Sequence, residues 1–475
     1  MEASSTASET AGENEFDLII IGAGSGNTIP DERFADLKIA IIDDGEHFGG
    51  TCLNVGCIPT KMFVRPAEIV HGARSAQHLG VTAPDVRANW AAVRDRIFTR
   101  IDAISNSGEE YRRSGEPNIQ LVRERVRFVS DHELETDSGR RLRAERIIIA
   151  AGSRSVELDP LPWSQRVITN AEALRLEQLP QHITVIGGGA IGCEFANIFH
   201  GFGAKTVQLV RSMPLKSVDS EVAATFAQVA DWDLHTGTEV TAAHETEAGV
   251  ELTLSDGSQM ITDLVLVAAG RIPNSDRLEA TAAGFDLHED GRIVVDDYQR
   301  VLRDGEPVPG VWALGDISSP HQLKHVANEE ARVVAHNVAA ELSGEKLRRN
   351  TLGPVPTAVF SNPEVASIGE SLSQALARGA DAFAVRHDYG ATAWGWALED
   401  ETSFCKLVVD RENGKLLGAQ IIGPDAAILL QPLIQAASQG QNVRGLARQQ
   451  YWPHPAATEI IENALLRAEA QLAAH

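Results

Sequence analysis

HITVIGGGAIGCEFANIFHGFGAKTVQLVR, residues 182–211, decides the fold. A short apolar run ends in glycines, a stretch of helical periodicity follows, and a second apolar run closes the segment. That is strand, turn, helix, strand, the unit from which parallel sheets are built. Gly187, Gly189 and Gly192 stand at GxGxxG spacing. Such glycines permit a tight turn and let backbone amides approach a pyrophosphate at the helix N-terminus.

The same pattern occurs once before. FDLIIIG at 16–22 runs into GAGSGN, with Gly22, Gly24 and Gly26, and KIAIID follows at 38–43. Pro30 interrupts the helix candidate between the two runs, so this crossover is expected to be short or irregular. Asn27 stands where a third glycine permits close packing, so the packing there is expected to be looser. Residues 67–112 carry a helical pattern, and ERIIIAAGSR at 145–154 reads as another buried strand. LVLVAAGRIPN at 264–274 closes the second unit as IIIAAGSR closes the first, and VPGVWALGDIS at 308–318 resumes the first. Beyond the Pro/Gly-rich stretch 352–363, CKLVVD and LLGAQIIG alternate with helical runs. The expected fold class is therefore α/β, with two Rossmann-like dinucleotide-binding domains, the second inserted in the first, and an α+β C-terminal domain. The expected boundaries are a loose tail over 1–14, a first domain over 15–155 and 276–350, the inserted domain over 156–275, and the last over 351–475.

The residue at the end of each second strand separates the two dinucleotide sites. After the first motif come Asp43 and Asp44, and a carboxylate about 20 positions on can bind ribose hydroxyls; Asp44 is the favoured one. After the second motif the strand ends in Arg211, with Lys216 nearby. Two cations there favour a 2′-phosphate, hence NADPH over NADH. One site with an acid and one with cations implies two different cofactors. Gly152 and Gly270, at the ends of the closing strands, and Gly50 and Thr51, ahead of the first cysteine, complete the cofactor-binding candidates.

Cys52 and Cys57 lie in GGTCLNVGCIPTK, residues 49–61, where a loop should lead into a helix with Pro59 in its first turn. A helix N-terminus there would stabilise a thiolate. A structural disulfide closing so small a loop would contribute only about 2 kcal/mol on the chain-entropy model. No second Cys or His pair at ligand spacing accompanies the cysteines, so no metal is expected. A redox role is the reading that remains. Cys193 and Cys405 are expected as small buried hydrophobes. In PHPAATE, His454 and Glu459 form a possible base and its orienting carboxylate, although spacing alone favours an exposed histidine in a turn.

The 475 residues suit about three domains at roughly 100–200 residues each. A formal charge of -24 disfavours nucleic acid and anionic membranes as partners. Neither a basic, apolar leader nor a run of about 18 apolar residues is present. The expected setting is the cytoplasm, with a small-molecule partner.

Taken together, the cysteine run, the two glycine motifs, ALGD at 313–316 and HPxxxE at 454–459 resemble the pyridine nucleotide disulfide oxidoreductases over residues 16–466. The resemblance implies FAD at the first site and NADPH at the second, with electrons passing from NADPH through FAD to the cysteines. Cys57 would lie against the flavin and Cys52 would attack a substrate disulfide. Lys61 and Glu194 resemble an ion pair beside the flavin N5, and Asp316 resembles a ribityl-binding acid. Glu459 would orient His454, which would serve the other subunit of a homodimer as general acid/base. Within the family, GSGN with DERF, LKHVANEEARVVAHN, DYGATAWGWALED and QPLIQAASQG with ARQQYWPHPA are similar to the branch that reduces mycothione, the disulfide of mycothiol. Two positions depart from the pattern: Pro66, expected to interrupt the helix after the cysteines, and Lys216, where a second arginine is common. Dihydrolipoamide dehydrogenase is the nearest alternative, but it usually carries an acid at the Arg211 position. Mercuric reductase would be expected to add a cysteine pair near the C-terminus. A non-catalytic thiol sensor would have no need of His454 and Glu459.

Overall fold

The structure is a computed structural model that describes residues 14–474. The tail expected over 1–14 thus lies, except for Asn14, outside the described residues. The chain divides into two compact units. One comprises the described part of Met1–Pro59 together with Asp95–Val156 and Arg271–Leu352; the other comprises Thr60–Arg94, Glu157–Gly270 and Gly353–His475.

In the first unit, the strands Glu15–Ile21, Ile39–Ile42, Ile119–Val122, Arg141–Ile149 and Glu306–Ala313 run parallel, with Glu15–Ile21 between Ile39–Ile42 and Arg141–Ile149. Both faces of this sheet are buried. Ile19, Ile21, Ala40, Ile147 and Ile149 join one core, whereas Leu18, Ile20, Ile39, Ile41 and Ile148 join another. A strand covered on both sides needs an unbroken apolar run, which is why FDLIII does not alternate. The second core is closed by Ala331, Val334, Ala335 and Val338 of the helix Lys324–Ser343.

The second unit holds a five-stranded parallel sheet in which His182–Ile186 lies between Lys205–Val210 and Leu264–Val267. Its C-terminal part is an antiparallel sheet of five strands, including Phe404–Asp410 and Leu416–Ile422. The helix Glu459–Ala473 packs there through Ile460, Ile461, Ala464, Leu465, Ala468 and Leu472, a stripe at helical spacing. This is the expected fold class: mixed α/β with Rossmann-like parallel sheets.

The internal repeat reaches the level of single contacts. A Cβ on Gly22 (φ +107°) would lie 2.3 Å from the Ala150 carbonyl oxygen, and one on Gly187 (φ +124°) would lie 2.3 Å from that of Ala268. Each first glycine therefore admits the alanine that follows the neighbouring strand. The crossovers differ. After Gly187 a regular helix, Ala190–Phe202, begins, and a Cβ on Gly192 would meet the Gly187 carbonyl at 2.2 Å. After Gly22 only two 3₁₀ turns occur, Gly26–Thr28 and Glu32–Phe34. Asn27 occupies the third-glycine position and is held by Arg112, whose Nε donates to Oδ1 at 2.8 Å.

Three local expectations need correction. The helical pattern over 67–112 is broken: Cys57–Ser75 and Trp90–Glu110 are separate helices, with a turn and an irregular stretch between them. Cys52 lies not in a loop but in a one-turn helix, Gly50–Asn54. Pro66 does not interrupt the cysteine helix, which runs through it. The packing of Phe63, Val64, Ala67 and Val70, all buried, outweighs the backbone hydrogen bond that proline cannot donate.

Pro66→Ala should therefore stabilise the protein. A helix-interior proline costs about 3 kcal/mol, less about 1 kcal/mol for the freedom that alanine returns to the unfolded chain. The expected gain is about 2 kcal/mol in urea unfolding, and an unchanged midpoint would contradict it.

Candidate active site

Backbone geometry brings the two cysteines together in the first unit. Asn54, almost fully buried, donates through Nδ2 to the carbonyls of His47 (3.1 Å), Phe48 (2.9 Å) and Gly50 (3.2 Å). Ser105 donates to the Phe48 carbonyl at 2.7 Å. These bonds hold the approach to Cys52. A Cβ on Gly56 would lie 2.8 Å from the Thr51 carbonyl oxygen and 3.3 Å from the Cys52 Cα, so only glycine lets the chain turn back this closely. Cys57 then opens the helix Cys57–Ser75 with Pro59 in its first turn. Neither cysteine is disulfide-bonded; Cys57 is exposed and Cys52 half-buried. The hydrogen bond with Cys57, together with burial, pushes the Cys52 thiol up, while Lys324 opposes the shift.

The first glycine loop lies nearby in the same unit. A Cβ on Gly50 would stand 2.6 Å from the Gly24 Cα, so the loop before Cys52 packs backbone to backbone on the glycine turn. Lys324 Nζ donates to Ser25 Oγ at 2.8 Å, and Ser25 Oγ lies 3.1 Å from Asn328 Oδ1. The two aspartates after the second strand have separate surroundings. Asp43 is buried and accepts from Ala23 N (3.2 Å), Gly45 N (2.8 Å) and Arg123 (3.0 Å). Asp44 is half exposed, with Arg125 at 3.2 Å. Ser153 donates to Asp316 Oδ2 at 2.6 Å and receives Arg271 Nε at 2.8 Å. Glu330, beneath the ALGD turn, accepts from Gly315 N at 2.7 Å. Burial pushes its carboxyl up to about 7, against the bonds from Gly315 and Ser319 and with the help of Asp316.

Lys61 and Glu194 meet in the second unit. Lys61 Nζ lies 2.7 Å from both Glu194 oxygens, and Phe360 N donates to Oε1 at 3.1 Å. The ammonium also stands 4.8 Å from the centre of the Phe360 ring. Burial pushes the Glu194 carboxyl up, and Lys61 resists this. Cys193, beside Glu194, is buried and its thiol is pushed up to about 12. Cys405 is likewise buried, with its thiol at about 12. Both are inert apolar residues in these surroundings.

At the second glycine motif, a Cβ on Gly189 would meet nothing within 4 Å. Arg211 is 77% exposed, with Glu239 at 3.6 Å, and Lys216 is exposed. Gly270 has φ +150°. Near the C-terminus, His454 Nδ1 lies 2.6 Å from Glu459 Oε1. That bond fixes the ring and leaves Nε2 outward, on a side chain 69% exposed.

The residues present fit two dinucleotides. In the first unit, a Cβ on Gly152 would likewise meet nothing within 4 Å, and the Lys324 ammonium faces the first glycine turn. In the second, Gly189 leaves space before a helix N-terminus flanked by two exposed cations. Sequence reasoning assigned no role to Lys324, Asn328, Glu330, Ser153 or Arg271. LKHVANEEA and AAGRIPN were visible, but a strand-and-helix pattern does not say which side chains turn toward a glycine loop.

Comparison with known proteins identifies the family. Residues 16–332 match the model of the pyridine nucleotide-disulphide oxidoreductases, and residues 355–465 match that of their dimerisation domain. The chain is 45% identical over 462 residues to the mycothione reductase of Mycobacterium tuberculosis, covering 95% of this chain and 99% of that protein. It is 31% identical over 458 residues to the dihydrolipoyl dehydrogenase of Geobacillus stearothermophilus, covering 94% of each. The HOCl-induced flavoprotein disulfide reductase RclA from Escherichia coli superposes with a TM-score of 0.81 at 26% identity, covering 95% of this chain and 99% of that one.

The buried Glu330 predicts a pH dependence. Its folded carboxyl titrates near 7 against an ordinary value of 4.5. Between about pH 4.5 and 7 the folded form keeps a proton that the unfolded form releases, so this group's contribution to stability is complete below 4.5 and is lost as pH rises through 7. Glu330→Gln keeps an acceptor for Gly315 N and removes the titration. It should match the parent near pH 4.5 and exceed it by up to about 3 kcal/mol at pH 8 in urea unfolding. Equal pH slopes for the two proteins would contradict this.

Proposed function

The chain belongs to the pyridine nucleotide-disulphide oxidoreductases, and from that membership we propose that it reduces mycothione to mycothiol, with the residues of its site in the roles set out below. It is a flavoprotein disulfide reductase that uses FAD and NADPH. The observation that carries the reading is the paired Cys52 and Cys57 at the start of a helix, held together by the turn at Gly56.

FAD supplies the two-electron relay between NADPH and the cysteines. Gly22, Gly24, Gly26, Gly50, Thr51, Gly152 and Asp316 would hold it, and Asp44 would take its ribose because the oxygens of Asp43 are committed to Ala23, Gly45 and Arg123. Gly187, Gly189, Gly192 and Gly270 would hold NADPH, with Arg211 and Lys216 on its 2′-phosphate. Lys61 keeps a positive charge in place, and Glu194 orients it.

Reduced Cys52 attacks one sulfur of the substrate disulfide, forming a mixed disulfide and releasing the first thiolate. His454, oriented by Glu459, protonates that leaving thiolate. Cys57 then attacks Cys52, which releases the second thiolate and restores the Cys52–Cys57 disulfide. His454 would come from the partner subunit of a homodimer. The exposed side chains of Trp396, Ile428 and Tyr451 in the C-terminal part support such an interface, since apolar surface of this kind is covered on association. On this reading residues 15–155 and 276–350 carry FAD, 156–275 NADPH and 351–475 the dimer contact. Among the described residues no helix is long and apolar enough to cross a membrane. A cytoplasmic setting is part of this proposal.

Cys52→Ser should abolish disulfide reduction while leaving FAD bound and NADPH-dependent dye reduction intact; disulfide reduction surviving in this variant would refute the assignment. NADPH oxidation should be fastest with mycothione when it is compared with glutathione disulfide and lipoamide on one preparation. A preference for either of the others would overturn the substrate. Arg211→Glu should raise KM for NADPH at least tenfold more than KM for NADH, and an equal loss would remove the 2′-phosphate role.

A further inference from the structure

The helix that begins at Cys57 carries His71 three turns after Lys61, and the helix Ala190–Phe202 carries His200 nearly two turns after Glu194. Both histidines face Asp231, which follows the helix Ser220–Val229. His71 Nδ1 lies 2.9 Å from Asp231 Oδ2, and His200 Nε2 lies 3.7 Å from the same oxygen. The three donor atoms all fall within 4.8 Å of one another. Ligands about 2.0–2.1 Å from a tetrahedral zinc ion stand about 3.3 Å apart, between the two distances observed.

Hydrogen bonding around His71 points the same way. Its Nε2 lies 3.4 Å from the Asn197 carbonyl, which can only accept, so the ring proton belongs on Nε2. Nδ1 then faces a carboxylate oxygen that also only accepts. Such a pairing is satisfied by a second proton or by a cation at Nδ1. Asp231 is 39% exposed and His200 30% exposed, so the cluster is reachable from solvent. Arg74 lies near the cluster and opposes a cation there.

We propose that His71, His200 and Asp231 bind a divalent transition-metal ion of the zinc class, with two imidazole nitrogens, one carboxylate oxygen and water as ligands. The donor set suits zinc, and not magnesium or calcium, which require oxygen ligands. The ion would tie together the same two helices that Lys61 and Glu194 join.

The test uses tag-free, FAD-loaded full-length protein with Cys52 and Cys57 both replaced by serine, so that their thiols do not compete for metal. Equilibrium dialysis against micromolar zinc chloride should give one zinc per chain, together with a rise in Tm. His71→Ala and His200→Gln, each made in that background, should lose the bound zinc and the Tm response. Cobalt(II) in place of zinc should give visible d–d bands in the parent and none in either variant. Absence of stoichiometric zinc, or binding unchanged in both variants, would reduce the cluster to a hydrogen-bonded His–Asp pair. A variant that fails to fold is replaced by Asp231→Asn, for which the same loss is expected and retained binding counts against the site.

Discussion

The first glycine of each repeated unit admits no side chain, and both dinucleotide-binding turns are arranged around that constraint. At Gly22 and at Gly187 a β-carbon would fall 2.3 Å from a backbone carbonyl, Ala150 in one case and Ala268 in the other. Adjacent parallel strands can come this close at their ends only where glycine turns the chain with positive φ. The close approach aims the following backbone amides outward past the sheet, which is where a pyrophosphate is met. Cys52 depends on the same constraint, because the loop before it rests on Gly24 through Gly50.

Charge then distinguishes two turns of nearly identical geometry. The first is followed by a buried aspartate that braces the turn and a half-exposed one facing outward, with Lys324 on Ser25. The second is followed by two exposed cations. Their crossovers differ for a steric reason: Gly192 lets a regular helix lie on the strand, whereas Asn27 at the equivalent position is bonded to Arg112 and only short 3₁₀ turns follow. The Lys61–Glu194 pair shows how a charge is kept in a buried setting. A carboxylate that burial would neutralise is held by an ammonium at 2.7 Å from both oxygens and by one backbone amide.

The parts legible in the sequence are those governed by short-range rules. Unbroken apolar runs announced the strands covered on both faces, and glycine spacing announced the turns. The sign of the residue after each second strand suggested the chemistry. Legibility failed where packing overruled local preference. Pro66 reads as a helix breaker, yet the helix continues because Phe63, Val64, Ala67 and Val70 are buried along it. The uniform helical pattern over 67–112 concealed a break, since periodicity does not record where a chain must turn to cover the aromatic cluster of Phe63, Trp90, Phe199 and Phe202.

By itself the sequence determined the strand and turn order, the repeat of a nucleotide-binding unit, the cysteine pair and the unlike charges of the two glycine sites, because each is written in residues close together along the chain. Only the tertiary structure decided that Asp43 is used internally while Asp44 stays outward, that Lys324, Asn328 and Ser25 converge, and that His71, His200 and Asp231 meet. Those groupings join residues up to 303 positions apart, and their side chains acquire common surroundings only once the sheets and helices have packed.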